Sequence, residues 1–127
     1  LSDLHVPMFV VGTLRDHVAP WRSVFKIHYQ VDADVTFVLA SGGHNAGIVA
    51  PPTEPGHSYR ISTKLADAVY VGPDEWQGNA AVVEGSWWPE WATWLSARSS
   101  PRCEPPRMGR EGAGEPLPDA PGEYVRQ

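Results

Sequence analysis

Cysteine is almost absent: Cys103 stands alone in 127 residues, which excludes an internal disulfide and fits a reducing cytosol. No apolar run is long enough to cross a bilayer as a helix. Leu1–Val11 lacks the basic start and cleavage site of a secretory signal, and its second half reads as a strand. A Lys/Arg cluster is missing as well. The formal net charge is -5, so no surface is offered for neutralising phosphates, and nucleic-acid binding is not expected. Histidines at helical His-x-x-x-His spacing are also lacking, and Cys103 lies far along the chain. A zinc site built from His17, His28 and His44 is therefore not supported. There is no internal repeat and room for one domain at most. The chain begins at Leu1 and runs almost directly into a strand, so it is expected to be a piece of something longer.

What is present is organised around residues 34–47. Val35–Ala40 is apolar or β-branched throughout, too short for a helix and suited to a strand buried on both faces. Gly42 and Gly43 break the strand and allow a sharp turn, and His44 follows at once. A histidine presented at the carboxyl end of a buried strand is placed for proton transfer, or else it caps a loop. Upstream, Val6–Thr13 is a second short apolar run closed by glycine, also expected to be buried on both faces up to Gly12. Between the two runs Trp21, Val24, Phe25, His28 and Val31 recur at helical spacing, with Pro20 where a first turn accepts proline. Strand, helix, strand predicts a βαβ unit and a parallel pair of strands, with sites at their carboxyl ends.

After His44 the pattern loosens. Ala46–Ala50 could begin a short helix, but Pro51-Pro52 and Pro55-Gly56 stop it. Tyr59–Ser62 and Val69–Val71 are expected to pair as a small hairpin, and Asp74-Glu75-Trp76 opens a short helix ended by Gly78. A better helix starts at Ser86, a good N-cap, with Pro89 and Glu90 in its first turn. Its face of Trp87, Trp88, Trp91, Trp94 and Leu95 reads as one buried stripe rather than a stacking platform for a ligand. From Ser99 the composition changes to Pro101, Pro105, Pro106, Pro116, Pro118 and Pro121 among Gly109, Gly112, Gly114 and charges. Such a tail is expected to be irregular or extended, with Tyr124-Val125 as an anchor to the body.

Asp16-His17 follows the first strand as His44 follows the second. Adjacent strands lie about 5 Å apart, so short loops can bring the Asp16 carboxylate to the His44 imidazole, fix its tautomer and stabilise the imidazolium. Acid first and histidine second, each after a strand, is the order of α/β-hydrolases. The alternative is a surface Asp and a loop His that never meet. His17 is either a third functional group or a structural donor at the strand end. His28 falls on the helical stripe as a core or boundary histidine, and His57 sits in a Pro/Gly loop, solvated. Cys103 has no strand-turn-helix elbow around it and is not read as a nucleophile.

Gly12-Thr13-Leu14-Arg15-Asp16-His17-Val18-Ala19-Pro20-Trp21, Ser41-Gly42-Gly43-His44-Asn45-Ala46-Gly47-Ile48-Val49 and Gly85-Ser86-Trp87-Trp88-Pro89-Glu90-Trp91 together resemble the carboxyl-terminal part of poly(3-hydroxyalkanoate) synthases. The ending Ala120–Val125 is similar to the family's too, and Pro101–Asp119 resembles it least. The resemblance implies the carboxyl-terminal portion of an α/β-hydrolase fold: parallel strands with a crossover helix, a Trp-rich helix and an irregular tail. Residues 1–99 would be the end of the catalytic domain and 100–127 the tail. It further implies an acyltransferase that joins (R)-3-hydroxyacyl groups from coenzyme A thioesters into polyester, on granules in the cytoplasm, without metal or redox cofactor. His44 would match the histidine that activates a cysteine thiol, and Asp16 the aspartate that helps deprotonate the hydroxyl of the incoming or growing chain. His17 and Gly43 would support them. The partners implied are hydroxyacyl-CoA, the polyester chain and the remainder of the synthase, with a homodimer of the complete enzyme allowed.

The sequence departs from the family's pattern in three respects. It holds no Gly-x-Cys-x-Gly elbow, none of the earlier strands and no substrate-entry region, and Asn45 stands where better-known members carry an apolar residue. The chain therefore reads as the acid–histidine end of a synthase without its nucleophile. Two other classes share its features: a non-catalytic granule-binding fragment, and an esterase or depolymerase with serine in the elbow.

Overall fold

A computed structural model describes residues 3–105, 119–122 and 124–127. Four strands form one mixed sheet in the order β1 (Met8–Thr13), β2 (Val35–Ala40), β3 (Ser58–Lys64), β4 (Val82–Glu84). The β1–β2 pair is parallel and fully in register from Met8 opposite Val35 to Thr13 opposite Ala40. β3 runs antiparallel to β2, and β4 antiparallel to β3.

The expected crossover is present, in two pieces. α1 (Trp21–Val24) and α2 (Ile27–Gln30) replace one continuous helix. Between them Lys26, His28 and Tyr29 donate their backbone N–H groups to the carbonyls three residues back, which tightens the winding without breaking it. The apolar stripe survives the change: Trp21, Phe25, His28 and Val31 are all buried. Trp21 and Phe25 meet Phe37 and Leu39 of β2 and Trp76 of α3 (Pro73–Asn79) on one face of the sheet. His28 packs on Phe25 and Phe37, and Val31 joins Ala33 and Val35 in a neighbouring cluster. Val38 and Ala40 point to the other face, where Ala50, Tyr59 and Trp87 cover them. Every residue of β2 is buried, as expected of a central strand.

β1 departs from that expectation. Its first four residues are only half-buried, and Val6 lies outside the strand and is exposed. Among the described residues β1 has one sheet neighbour, so it lies at the edge. The hairpin also differs: β3 pairs with Val82–Glu84, while Val69 and Val71 are exposed and outside the sheet. The turn carbonyl of His57 accepts the Gly85 N–H, and the Arg60 guanidinium donates to the Ala80 carbonyl. These tertiary bonds choose the partner.

α4 (Trp88–Ser96) starts two residues after Ser86, whose Oγ accepts the Trp88 N–H at 3.0 Å. Its stripe is not one buried face: Trp87, just before it, is buried, Trp88 and Trp94 are half-buried, and Trp91 and Leu95 are exposed. Pro101–Pro105 has no regular structure, and Pro106, Gly109, Gly112, Gly114, Pro116 and Pro118 lie outside the described residues. Tyr124 and Val125, in a short 3-10 turn, are exposed rather than anchored. No helix among the described residues is long and apolar enough to cross a membrane.

Candidate active site

The parallel β1–β2 pair ends in two loops side by side. Leu14 continues the pairing by donating to the Ala40 carbonyl at 2.9 Å, and Arg15 donates to the Gly42 carbonyl at 2.8 Å. The loops are therefore laced together before either reaches its polar residue. Gly42 has φ +109°, a conformation that favours glycine and turns the chain back sharply. Gly47 closes this turn, its N–H donating to the Gly43 carbonyl at 3.0 Å. Ala46–Ala50 stays a set of turns and never becomes the helix that its residues suggest.

The turn presents His44 to Asp16. His44 Nδ1 lies 2.9 Å from Asp16 Oδ2, while its side chain is 49% exposed against 6% for the carboxylate. Ionised Asp16 can only accept, so Nδ1 carries the proton and donates it. Nε2 is then the basic nitrogen, and no hydrogen bond engages it among the described residues. The acid is held on every side. Oδ1 accepts the backbone N–H groups of Val18 at 2.8 Å and Ala19 at 2.9 Å, and Oδ2 also accepts the Thr13 hydroxyl at 3.2 Å. The Ala19 N–H above all, then His44, holds the Asp16 carboxyl well below the usual carboxylate range, against the effect of desolvation.

The other singled-out residues sit as follows. His17 is exposed and makes no side-chain hydrogen bond or ion pair among the described residues, so it does not join the pair. Gly43 has room for a side chain, since an added Cβ would lie 3.8 Å from the Arg15 carbonyl oxygen; it serves the turn through its backbone. His28 is a core histidine, 4% exposed, with Nδ1–H on the Phe25 carbonyl at 2.9 Å. Burial lowers its pKa and keeps it neutral. His57 is half-buried 3.9 Å from Glu54 rather than solvated, and Cys103 is exposed in the tail. No cluster of three or more His, Cys, Asp or Glu side chains that could hold a metal forms among the described residues.

Three contributors were not expected at the site. The indole N–H of Trp87 donates to the Gly47 carbonyl and that of Trp88 to the Ile48 carbonyl, each at 3.0 Å. Ser86 Oγ donates to the Ala50 carbonyl. Three consecutive residues before and at the start of α4 thus pin three carbonyls of the loop that carries His44. Trp87 is buried and its indole N–H finds an acceptor there, which is the signal in the sequence that could have pointed to it. The Trp88 bond is exposed and had no such signal. Leu14 and Val18 in one loop and Ile48 and Val49 in the other are exposed, interleaved with exposed Arg15, His17 and Asn45. A cavity of about 210 Å³ bordered by Phe25, His28, Thr63, Lys64 and Trp76 lies elsewhere, at the opposite end of β2.

An acid–histidine pair with a free Nε2 can take a proton from a nucleophile brought to it and return it to a leaving group. No family model matches the chain. It is 39% identical over 126 residues to the poly(3-hydroxyalkanoate) polymerase of Methylorubrum extorquens, covering 99% of this chain and 20% of that protein. With poly(3-hydroxyalkanoate) polymerase 2 of Ectopseudomonas oleovorans it shares 36% identity over 125 residues, 98% of this chain and 22% of the relative. The poly(3-hydroxyalkanoate) polymerase subunit PhaC of Rhizobium meliloti (strain 1021) is 36% identical over 129 residues, 99% of this chain and 20% of its own length. The chain thus spans about a fifth of the length of these curated relatives, and along nearly all of its own length it is related to the carboxyl-terminal part of the poly(3-hydroxyalkanoate) polymerases.

Proposed function

We propose that the chain is the acid–histidine end of a poly(3-hydroxyalkanoate) synthase of α/β-hydrolase fold, working with a cysteine nucleophile carried by the remainder of the enzyme. The observation that carries this reading is the 2.9 Å contact between His44 Nδ1 and Asp16 Oδ2, at the ends of neighbouring parallel strands in a chain related to such polymerases. His44 Nε2 takes the proton of the thiol, and the thiolate attacks the thioester carbonyl of an (R)-3-hydroxyacyl-CoA and expels coenzyme A. The imidazolium gives that proton to the departing coenzyme A thiolate. Nε2 then takes the proton of the hydroxyl of the next unit or of the growing chain, whose oxygen attacks the acyl-enzyme carbonyl. The ester forms, the acyl–cysteine bond breaks, and the released thiolate recovers the proton. Asp16 is a poor independent base, because its carboxyl is held low and both oxygens are occupied. Its part is to hold the ring and balance the imidazolium, rather than to deprotonate the hydroxyl itself. The exposed Leu14, Val18, Ile48 and Val49 supply apolar contacts suited to an aliphatic polyester and to the segment that brings the nucleophile. The place of action is the surface of polyester granules in the cytoplasm.

The relatives favour this over an esterase, whose serine elbow would meet the same pair. The test is a chimera in which this chain replaces the matching segment of the Methylorubrum extorquens polymerase. Coenzyme A release from 3-hydroxybutyryl-CoA with polymer formation is expected of the chimera, and none of the 127-residue chain by itself. A folded chimera without turnover, or turnover by the chain alone, would overturn the reading.

A further inference from the structure

We propose that Thr13 is a positioning residue for the Asp16–His44 pair, aiming its hydroxyl at the acid while its methyl seats against the loop that carries the histidine. Thr13 is the last residue of β1, opposite Ala40, and only 2% exposed. Its Oγ1 donates to Asp16 Oδ2 at 3.2 Å, the same oxygen that accepts the proton of His44 Nδ1. The opposite side of the side chain fills the space in front of Gly47. A Cβ built on Gly47 would fall 2.4 Å from Thr13 Cγ2 and 2.9 Å from Thr13 Cβ, so only glycine lets the loop close here. Gly47 is fixed in its turn by the Gly43 carbonyl and by the Trp87 indole.

A β-branched side chain is stiff at χ1, and with its methyl trapped against Gly47 its hydroxyl is left one direction. That direction is Oδ2. The two oxygens of Asp16 are thus divided: Oδ1 is tied to the backbone of its own loop, and Oδ2 is set by Thr13 where the imidazole arrives. Removing the hydroxyl leaves Oδ1 on its two backbone N–H groups but Oδ2 with His44 as its one remaining partner, and so loosens the acceptor on which the tautomer of His44 depends. The inference rests on the catalytic reading of the pair for its effect on rate, but not for its effect on the hydrogen bond.

Two substitutions separate the parts. Thr13→Val keeps the shape and loses the hydroxyl; Thr13→Ser keeps the hydroxyl and frees it to turn. In the chimeric polymerase kcat should fall about tenfold in Thr13→Val, the order expected for one hydrogen bond to a charged group. KM should stay nearly unchanged, and Thr13→Ser should recover most of the loss. In the 127-residue chain the downfield Nδ1–H proton resonance of His44, assigned against the His28→Gln variant, should persist in Thr13→Ser and broaden or vanish in Thr13→Val. An unchanged resonance in Thr13→Val, its absence from the unmodified chain, or a valine variant better than the serine one would overturn the proposal. Normal turnover in His44→Gln would sink the catalytic reading instead, and the resonance would still decide the role of Thr13.

Discussion

Two histidines in this molecule make hydrogen bonds of the same length to very different ends. His28 Nδ1 and His44 Nδ1 each lie 2.9 Å from an oxygen. For His28 the oxygen is the carbonyl of Phe25, the ring packs on the Phe25 side chain at 4.0 Å between centroids, and Phe37 closes another side. The acceptor is neutral and water is excluded, so the ring fills space and satisfies a carbonyl. For His44 the oxygen belongs to a carboxylate, and about half of the side chain faces outward. An anion behind and solvent in front let one ring nitrogen hold a proton while the other exchanges one. Chemistry is set by the acceptor and by what lies across the ring, not by the bond itself.

The strongest way to break the contrast is to give His44 an acceptor like that of His28. Asp16→Asn replaces the carboxylate by a neutral amide, and coenzyme A release by the chimera should fall by about 10²–10⁴-fold, the range of general-base catalysis. Breaking the other region costs stability instead. Phe37 is fully buried against Phe25, Trp21, Trp76 and His28. Phe37→Ala should lower the unfolding free energy of the chain by about 3–5 kcal/mol in urea titrations, most of the margin of a weakly stable domain. Leu14→Ala, exposed beside the site, should cost far less.

Acid sharpens the contrast further. The pKa of His28 is lowered in the folded chain, chiefly by burial, so below about 6.5 the unfolded chain takes up a proton that the folded one refuses. Stability from this group is present above that pH and declines as pH falls toward the folded value, by up to about 1.4 kcal/mol per pH unit. Denaturation midpoints of His28→Gln should be flatter over that interval. Asp16 acts in the same sense, but only from its ordinary value of 3.8 downward. The smallest effect is expected of Cys103→Ala, which should leave turnover unchanged because the thiol is exposed in the tail, remote in sequence from both loops.

The His44 region was more legible in the sequence than its surroundings. Val35–Ala40 has no competing reading as a strand, and a βαβ order leaves Asp16 and His44 on one edge of a parallel pair. The partner of β3 was not legible, because Val69–Val71 and Val82–Val83 carry the same apolar signal. Bonds from Gly85 and Arg60, distant in sequence from their acceptors, decide between them. The tryptophan stripe misled in another way. Counting indoles as apolar predicts one buried face, whereas Trp87 and Trp88 act through their N–H groups on the His44 loop and Trp91 stays exposed. Thr13 and Gly47 gave no sign at all, since their fit is a matter of a methyl facing an absent one.

The most direct test of the acid–histidine reading sets His44→Gln beside His28→Gln in the same chimeric polymerase, with coenzyme A release from 3-hydroxybutyryl-CoA counted per folded enzyme. Loss of nearly all turnover in the first variant and retention of most of it in the second is the expected result. Similar turnover in the two would contradict the assignment of the proton-transferring role to His44.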